Sequence, residues 1–227
     1  MPSAQVQTLN HILQSRFSCR GYLPKPIDRE TIEAIVRMAQ QVPSWCNSQP
    51  WMVHLLSAQA RDQLSDKLVR AAQARAGKPD IAFPDRYSGV YKQRRSVCGW
   101  QLYDAVGVTK GDRAGSVAQM MENYRFFGAP HVAIISTPKE LGTYGAVDCG
   151  AFVSAFTLAA QAHGVSSIPQ AAVAEMSNEV RCVVGLPQDR DVLCAISFGY
   201  QDPDHPANGF RTQRAPLSEV LIDVDGS

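Results

Sequence analysis

Four short clusters carry most of the polar chemistry in this chain. Arg16-Phe17-Ser18-Cys19-Arg20 places two guanidiniums around a hydroxyl. A guanidinium is a planar fork of donors that matches phosphate oxygens, so the cluster reads as an anion site or as a solvated basic loop. Pro43-Ser44-Trp45-Cys46-Asn47-Ser48-Gln49-Pro50-Trp51 sets amides and hydroxyls beside Trp in a proline-bounded loop. Such a loop can offer donors and acceptors to a heteroaromatic ring, or can simply join a helix to a strand. Gly164-Val165-Ser166-Ser167-Ile168-Pro169-Gln170-Ala171 is small enough for a ligand to approach backbone N–H groups, and reads equally as a helix cap and turn. Arg211-Thr212-Gln213-Arg214 adds two more cations, as a second clamp or a solvated tail.

Other chemistries lack their signatures. The cysteines Cys19, Cys46, Cys98, Cys149, Cys182 and Cys194 include no C-x-x-C pair, so neither zinc ligation nor a disulfide framework is indicated. No G-x-G-x-x-G opens a βαβ unit, and there is no Walker A loop.

The clusters need elements to hold them. Val6, Leu9, Ile12 and Leu13 repeat at helical spacing. Leu23-Pro24-Lys25-Pro26 must be extended, and Asp28 is an N-cap for a helix over about 29–40. Residues 51–56 read as a strand, 58–76 as a helix, and 77–89 as a Pro, Gly and aromatic-rich excursion. Helices are expected over 91–106 and 112–124, and a buried strand over 129–137. Residues 144–163 form an apolar helix, expected to be covered on several sides and ended by Gly164. A helix over 174–184, a strand over 192–199, a 202–209 loop and an extended 211–224 tail complete the chain. This pattern is α+β, a small sheet with helices packed on it.

The 227 residues suit a single domain, read as 1–227 with a cap at about 77–125 and an extended tail at about 202–227. Hydrophobic residues make up 45% of the chain, enough for a core. The net charge of +1 argues against a general nucleic-acid or membrane-surface partner. No apolar run approaches the ~20 residues that span a bilayer. Residues 1–10 lack a secretory pattern, so reduced thiols and a cytoplasmic location are expected.

Taken in order, the clusters resemble the nitroreductase family of flavoproteins. The resemblance runs through Arg16-Phe17-Ser18-Cys19-Arg20, Pro43-Ser44 with Asn47-Ser48-Gln49-Pro50-Trp51, and Phe127-Gly128-Ala129-Pro130. It continues through Asp148-Cys149-Gly150, Gly199-Tyr200 and the 211–217 segment, covering nearly the whole chain. It implies a central, mainly antiparallel sheet flanked by helices, an intertwined homodimer, and FMN at the dimer interface.

By motif matching, Arg16, Ser18 and Arg20 resemble residues that hold the flavin's phosphate, ribityl chain and pyrimidine side. Phe17 stands where the family more often has Arg or His, which leaves it a backbone role. Arg214, with Arg211 nearby, resembles a C-terminal phosphate clamp. Pro43, Ser44 and Asn47 resemble a loop that reaches the flavin, Pro43 and Ser44 facing the partner's. Pro169, Gln170 and Ala171 resemble a turn whose backbone N–H points at flavin N5. The family's activity would then be ping-pong transfer from NADH or NADPH to a small nitroaromatic, with no side-chain catalytic acid. FMN would carry the hydride chemistry, and Arg20 would be the cation beside its pyrimidine edge.

Two regions would shape the substrate pocket. Trp45 and Cys46 replace the small residues usual at those positions. Phe83, Tyr87, Tyr91 and Arg95, with Asn123 and Phe127, form an aromatic and cationic set that could receive a flat ring or else pack on a partner subunit. Quinone, flavin or enone reduction and reductive dehalogenation are alternatives on the same fold. A non-catalytic flavin-binding module is the alternative of another class.

Overall fold

The computed structural model describes residues 2–224. Its helices are α1 (Ala4–Ser15), α2 (Arg29–Ala39), α3 (Ala58–Gln73), α4 (Gly89–Ala105), α5 (Arg113–Met121), α6 (Gly142–Ala162) and α7 (Ser177–Val184). Its strands are β1 (Met52–Leu55), β2 (His131–Pro138), β3 (Ser166–Gln170) and β4 (Arg190–Gly199). Short polar side chains set several helix starts. Ser3, Asp28, Ser57 and Asp112 each accept a hydrogen bond from a backbone N–H in the first turn that would otherwise lack a partner.

The strands form one sheet in the order β1-β2-β4-β3, with every neighbouring pair antiparallel. Alternation along the strands splits the core between its faces. Ala133, Ile135, Ile196 and Phe198 join Ile32, Ile35, Phe152 and Phe156 of α2 and α6 on one face. Val132, Ile134, Val192 and Ala195 join Leu64 and Leu68 of α3 and Val180 of α7 on the other. A register shift after Ile135 lets Val192 and Ala195 share a face despite their odd spacing. A third, small cluster of Cys19, Tyr22, Phe127, Ala129 and Ile168 lies beyond the β3 edge.

Several sequence expectations change. The 164–171 segment is not a turn: Ser166–Gln170 is strand β3, paired with β4. It occupies the sheet edge, where Pro169 is tolerated because one side of the strand needs no ladder donor. The helix expected over 174–184 starts at Ser177, after a 3₁₀ turn over Ala171–Met176. The helix expected to reach residue 76 ends at Gln73, and Arg75 turns the chain with φ 54°. The tail is not wholly extended, since Leu217–Glu219 forms a 3₁₀ turn.

α6 is also covered on fewer sides than its composition suggests. Cys149, Phe152 and Phe156 are buried, whereas Tyr144 and Val147 are exposed. Among the described residues it is the one helix long and apolar enough to cross a bilayer by length and composition. Its buried Phe152 and Phe156, packed against the sheet, make it the core helix of this fold.

Candidate functional site

Residues 16–22 run beside the free edge of β3. Ser18 makes a parallel bridge to Ser167, and the Cys19 N–H donates to the Ser167 carbonyl at 3.3 Å. Buried Tyr22 donates its hydroxyl hydrogen toward the Ser197 carbonyl and the Cys19 carbonyl, each at 3.1 Å. Asn208 binds the same segment to the C-terminal chain. Its Oδ1 accepts from the Arg20 N–H at 2.8 Å, and its Nδ2 donates to the Gly21 and Asp202 carbonyls at 2.9 Å. A 188-residue separation is thereby closed by one amide side chain.

The result is a cleft of about 390 Å³ that joins the first and fourth clusters. Arg16, Phe17, Ser18 and Arg20 line one wall, and Arg211 and Arg214 another. Leu13 and Gln14 of α1 and Cys98 of α4 also contribute. Among the described residues, none of these four arginines is ion-paired with a carboxylate. Their internal partners are neutral. Arg20 donates to the Ser18 carbonyl at 3.1 Å and lies 5.9 Å from the Phe127 ring. Arg211 donates to the Asn208 and Phe210 carbonyls and stacks over Phe17, with Cζ 3.8 Å from the ring centroid. Arg214 donates to the Thr212 hydroxyl at 3.0 Å.

The electrostatics follow. Burial lowers the pKa of the Arg16 guanidinium, and the nearby Arg214 cation lowers it further. Burial also lowers Arg20, with Cys98, Tyr22 and Cys19 acting the other way. Partly desolvated cations facing each other across a cleft favour an anion between them. The Ser167 hydroxyl, on the strand that Ser18 pairs with, is buried without a protein partner. A phosphorylated polar ligand suits this donor set. Phe17 gains a role the sequence did not give it: its ring is the platform on which Arg211 rests.

The third cluster adjoins this cleft through the Ser18–Ser167 bridge. The Gln170 side chain is buried, with Nε2 donating to the Asn123 carbonyl at 2.8 Å and Oε1 accepting from the Ser197 hydroxyl. Its side chain is thereby committed to the core, which leaves the backbone of Pro169–Ala171 for any ligand. Asn123 supplies that carbonyl and donates its own amide to Met120, and Phe127 is buried in the small cluster.

The second cluster lies apart: no residue of 43–49 lines the cleft. The loop is pinned to α6 instead. The Trp45 N–H donates to both Asp148 oxygens at 3.1 and 3.2 Å, and the Ser48 hydroxyl donates to Asp148 at 3.5 Å. The Ser44 hydroxyl accepts from the Gln49 N–H at 3.0 Å. Pro43, Trp45, Cys46 and Asn47 are exposed, and Trp45 packs on Tyr144 with ring centroids 5.4 Å apart. Phe83, Tyr87, Tyr91 and Arg95 are exposed and likewise stand outside the cleft, with Arg95 5.1 Å from the Tyr87 ring.

Two positions matter to this geometry that sequence reasoning gave no role. Asn208 sits in a Pro/Asn/Gly loop that read only as a connector. Asp148 was visible only within the Asp148-Cys149-Gly150 motif, inside an apolar helix, and nothing local points from it to Trp45.

Comparison with known proteins fits this frame. The nitroreductase family model matches residues 13–200. The chain belongs to the nitroreductase family. It is 36% identical over 218 residues to nitroreductase NfnB of Mycolicibacterium smegmatis, covering 94% of this chain and 92% of that one. It is 30% identical to a 4-nitrobenzoate reductase of Pseudomonas putida, covering 89% of each. The crystal structure of the FMN-dependent nitroreductase NfnB from Mycobacterium smegmatis in complex with NADPH superposes with a TM-score of 0.93. That alignment has 33% identity and covers 97% of this chain and 100% of that one. The nitroreductase fold expected from the motifs is therefore present, as an α+β arrangement around a four-stranded antiparallel sheet.

Proposed function

We propose that this nitroreductase-family chain holds FMN and uses NAD(P)H to reduce small nitroaromatic compounds. The observation that carries this reading is the cleft of arginines that have no carboxylate partner among the described residues, in a chain of this family. The relatives point the same way. They are described as a nitroreductase, a 4-nitrobenzoate reductase and an FMN-dependent enzyme in complex with NADPH. NADPH is therefore the donor to test first.

In this reading Arg16 and Arg214, with Arg211 braced on Phe17, hold the phosphate by charge-assisted hydrogen bonds. Ser18 and Arg20 serve the ribityl chain and the pyrimidine edge. In the Pro169–Ala171 segment the backbone N–H groups of Gln170 and Ala171 would supply donors to the ring system. Bound FMN would accept hydride from the nicotinamide and pass electrons to the acceptor. No side-chain acid is assigned. The protein's own contribution is orientation, charge and shape. Arg20, seated between the Ser18 carbonyl and the Phe127 ring, would supply a fixed cation for the flavin's pyrimidine edge.

The active unit is proposed to be a homodimer of a single-domain chain. α1 and α4 bury no residue within the chain, and Val6, Leu9, Val97 and Val147 are exposed. Isolated helices with such exposed apolar residues suit a second copy. Pro43, Ser44 and Asn47 would then complete the partner's flavin site. Phe83, Tyr87, Tyr91 and Arg95, on the proposed 77–125 cap, would wall the substrate side with Trp45 and Cys46. The tail from 202 would brace the assembly, and the six free thiols suit a reducing cytoplasm.

Steady-state rates with NADPH and either nitrobenzene or benzoquinone test the acceptor class. A higher kcat/KM for nitrobenzene is expected. A quinone preference of about tenfold or more would move the assignment to quinone reduction.

A further inference from the structure

The 44–49 loop is a costly conformation held for some purpose. Cys46, Asn47 and Gln49 all have positive φ, at 50°, 55° and 47°, without glycine. Each such residue is disfavoured for an L-amino acid, and such conformations persist only where the surroundings determine them. Here the side-chain anchors are the Ser44 hydroxyl, which accepts from the Gln49 N–H, and Asp148. Asp148 is 9% exposed, has no ion-pair partner among the described residues, and accepts from the Trp45 N–H with both oxygens and from the Ser48 hydroxyl with one. The loop it fixes presents one large group, the Trp45 indole. That ring is 66% exposed yet lies against Tyr144, itself 65% exposed, in a tilted aromatic pair. A buried carboxylate and three left-handed residues thus hold an aromatic surface that the chain itself leaves uncovered.

We propose that Trp45 and Tyr144 form an aromatic wall that selects flat aromatic acceptors, and that Asp148 is the positioning residue that holds Trp45 in place. The proposal rests on the nitroaromatic-reductase reading above and on its dimeric site, in which the 43–47 loop meets the partner's flavin, and it adds a specificity element to both. Planar electron-poor rings stack on indole and phenol faces, whereas a compact inorganic acceptor gains nothing from them. The wall should therefore act on KM for aromatic acceptors and leave a non-aromatic acceptor untouched. Asp148 acts only through the loop, so its loss should reproduce the loss of Trp45.

The test uses FMN-loaded, full-length protein with NADPH and two acceptors, nitrobenzene and ferricyanide. Trp45→Ala should raise the nitrobenzene KM by about three- to tenfold more than it raises the ferricyanide KM. Trp45→Phe should recover most of the loss. Asp148→Ala should show the same selective rise, and Asp148→Asn should recover much of it by keeping a carbonyl acceptor for the Trp45 N–H. The double variant Trp45→Ala/Asp148→Ala should be no worse than Trp45→Ala alone. Equal losses with both acceptors, additive effects in the double variant, or dissociation of the dimer by Trp45→Ala would overturn the proposal. If Asp148→Ala does not fold, the Trp45 series still decides whether the wall exists, and Asp148→Leu, which keeps the bulk but offers no acceptor to the Trp45 N–H, decides the anchor through the tryptophan emission that Trp45→Phe removes. A red-shifted, more mobile indole is expected, and an unchanged one overturns the anchor. A wild-type protein that holds FMN but reduces neither acceptor defeats the functional reading itself. An active wild type whose variants lack the selective KM change defeats only the wall.

Discussion

Arg16 shows how a single side chain links sequence to function here. It is partly buried, lies near Arg214, and is ion-paired with no carboxylate among the described residues. A charge-assisted hydrogen bond to an anion contributes about 1.5–3 kcal/mol. Arg16→Ala should therefore raise the FMN dissociation constant by about tenfold or more, as read by flavin fluorescence titration. Phe17→Ala removes only the seat of Arg211 and should cost less, since an exposed cation–π contact contributes about 0.5–1 kcal/mol. A larger effect at Phe17 than at Arg16 would reverse the proposed roles. The residues of this clamp were legible because each cluster is local: Arg16, Ser18 and Arg20 lie within five positions, as do Arg211 and Arg214 within four. Asn208 and Asp148 were not, because their hydrogen bonds span 188 and 103 residues. Phe17 looked like a missing cation, and only its contact with Arg211 gives the side chain a function.

At the scale of elements, helices with short polar caps were easy to place, as Asp28 and α2 show. β3 was hidden because Ser-Ser-Ile-Pro-Gln lacks apolar alternation and contains proline. Its pairing with β4 and the sheet-edge position override local propensity. The 24–28 segment is held in a way that gives a pH signature. The Ile27 N–H donates to His131 Nε2 at 2.8 Å, so that nitrogen must be unprotonated. Burial first, and the Arg61 cation second, hold the His131 pKa below its usual 6.5. Burial and Arg190 do the same for His54. An unfolded chain then takes up protons more readily than the folded one as pH falls below about 6.5. The stabilisation is complete above that value and is lost as pH falls toward the depressed folded-state pKa values. Urea midpoints should therefore drop between pH 8 and pH 5.5, and His131→Gln should flatten part of that drop. An equal slope in the variant would remove His131 from the account.

For the whole molecule, the proposed second copy covers the helices that the chain leaves bare. α1 is capped and regular, yet Val6, Leu9 and Leu13 are all about half exposed. Light scattering should give about twice the 24.8 kDa chain mass. Val6→Glu combined with Leu9→Glu should shift the protein toward monomer and weaken FMN retention, because Leu13 and Gln14 of the same helix line the cleft. A monomer that keeps full flavin occupancy would separate cofactor binding from assembly and contradict the proposed dimeric site.

The arginine cleft is proposed to hold a flavin that carries electrons from NADPH to a nitroarene. Anaerobic titration of the purified, FMN-loaded protein, followed through the flavin absorption band, tests it most directly. NADPH should bleach the band at one equivalent per flavin, and nitrobenzene should then restore it. A colourless protein that takes up no FMN, or a bound flavin that NADPH leaves oxidised, would contradict the claim.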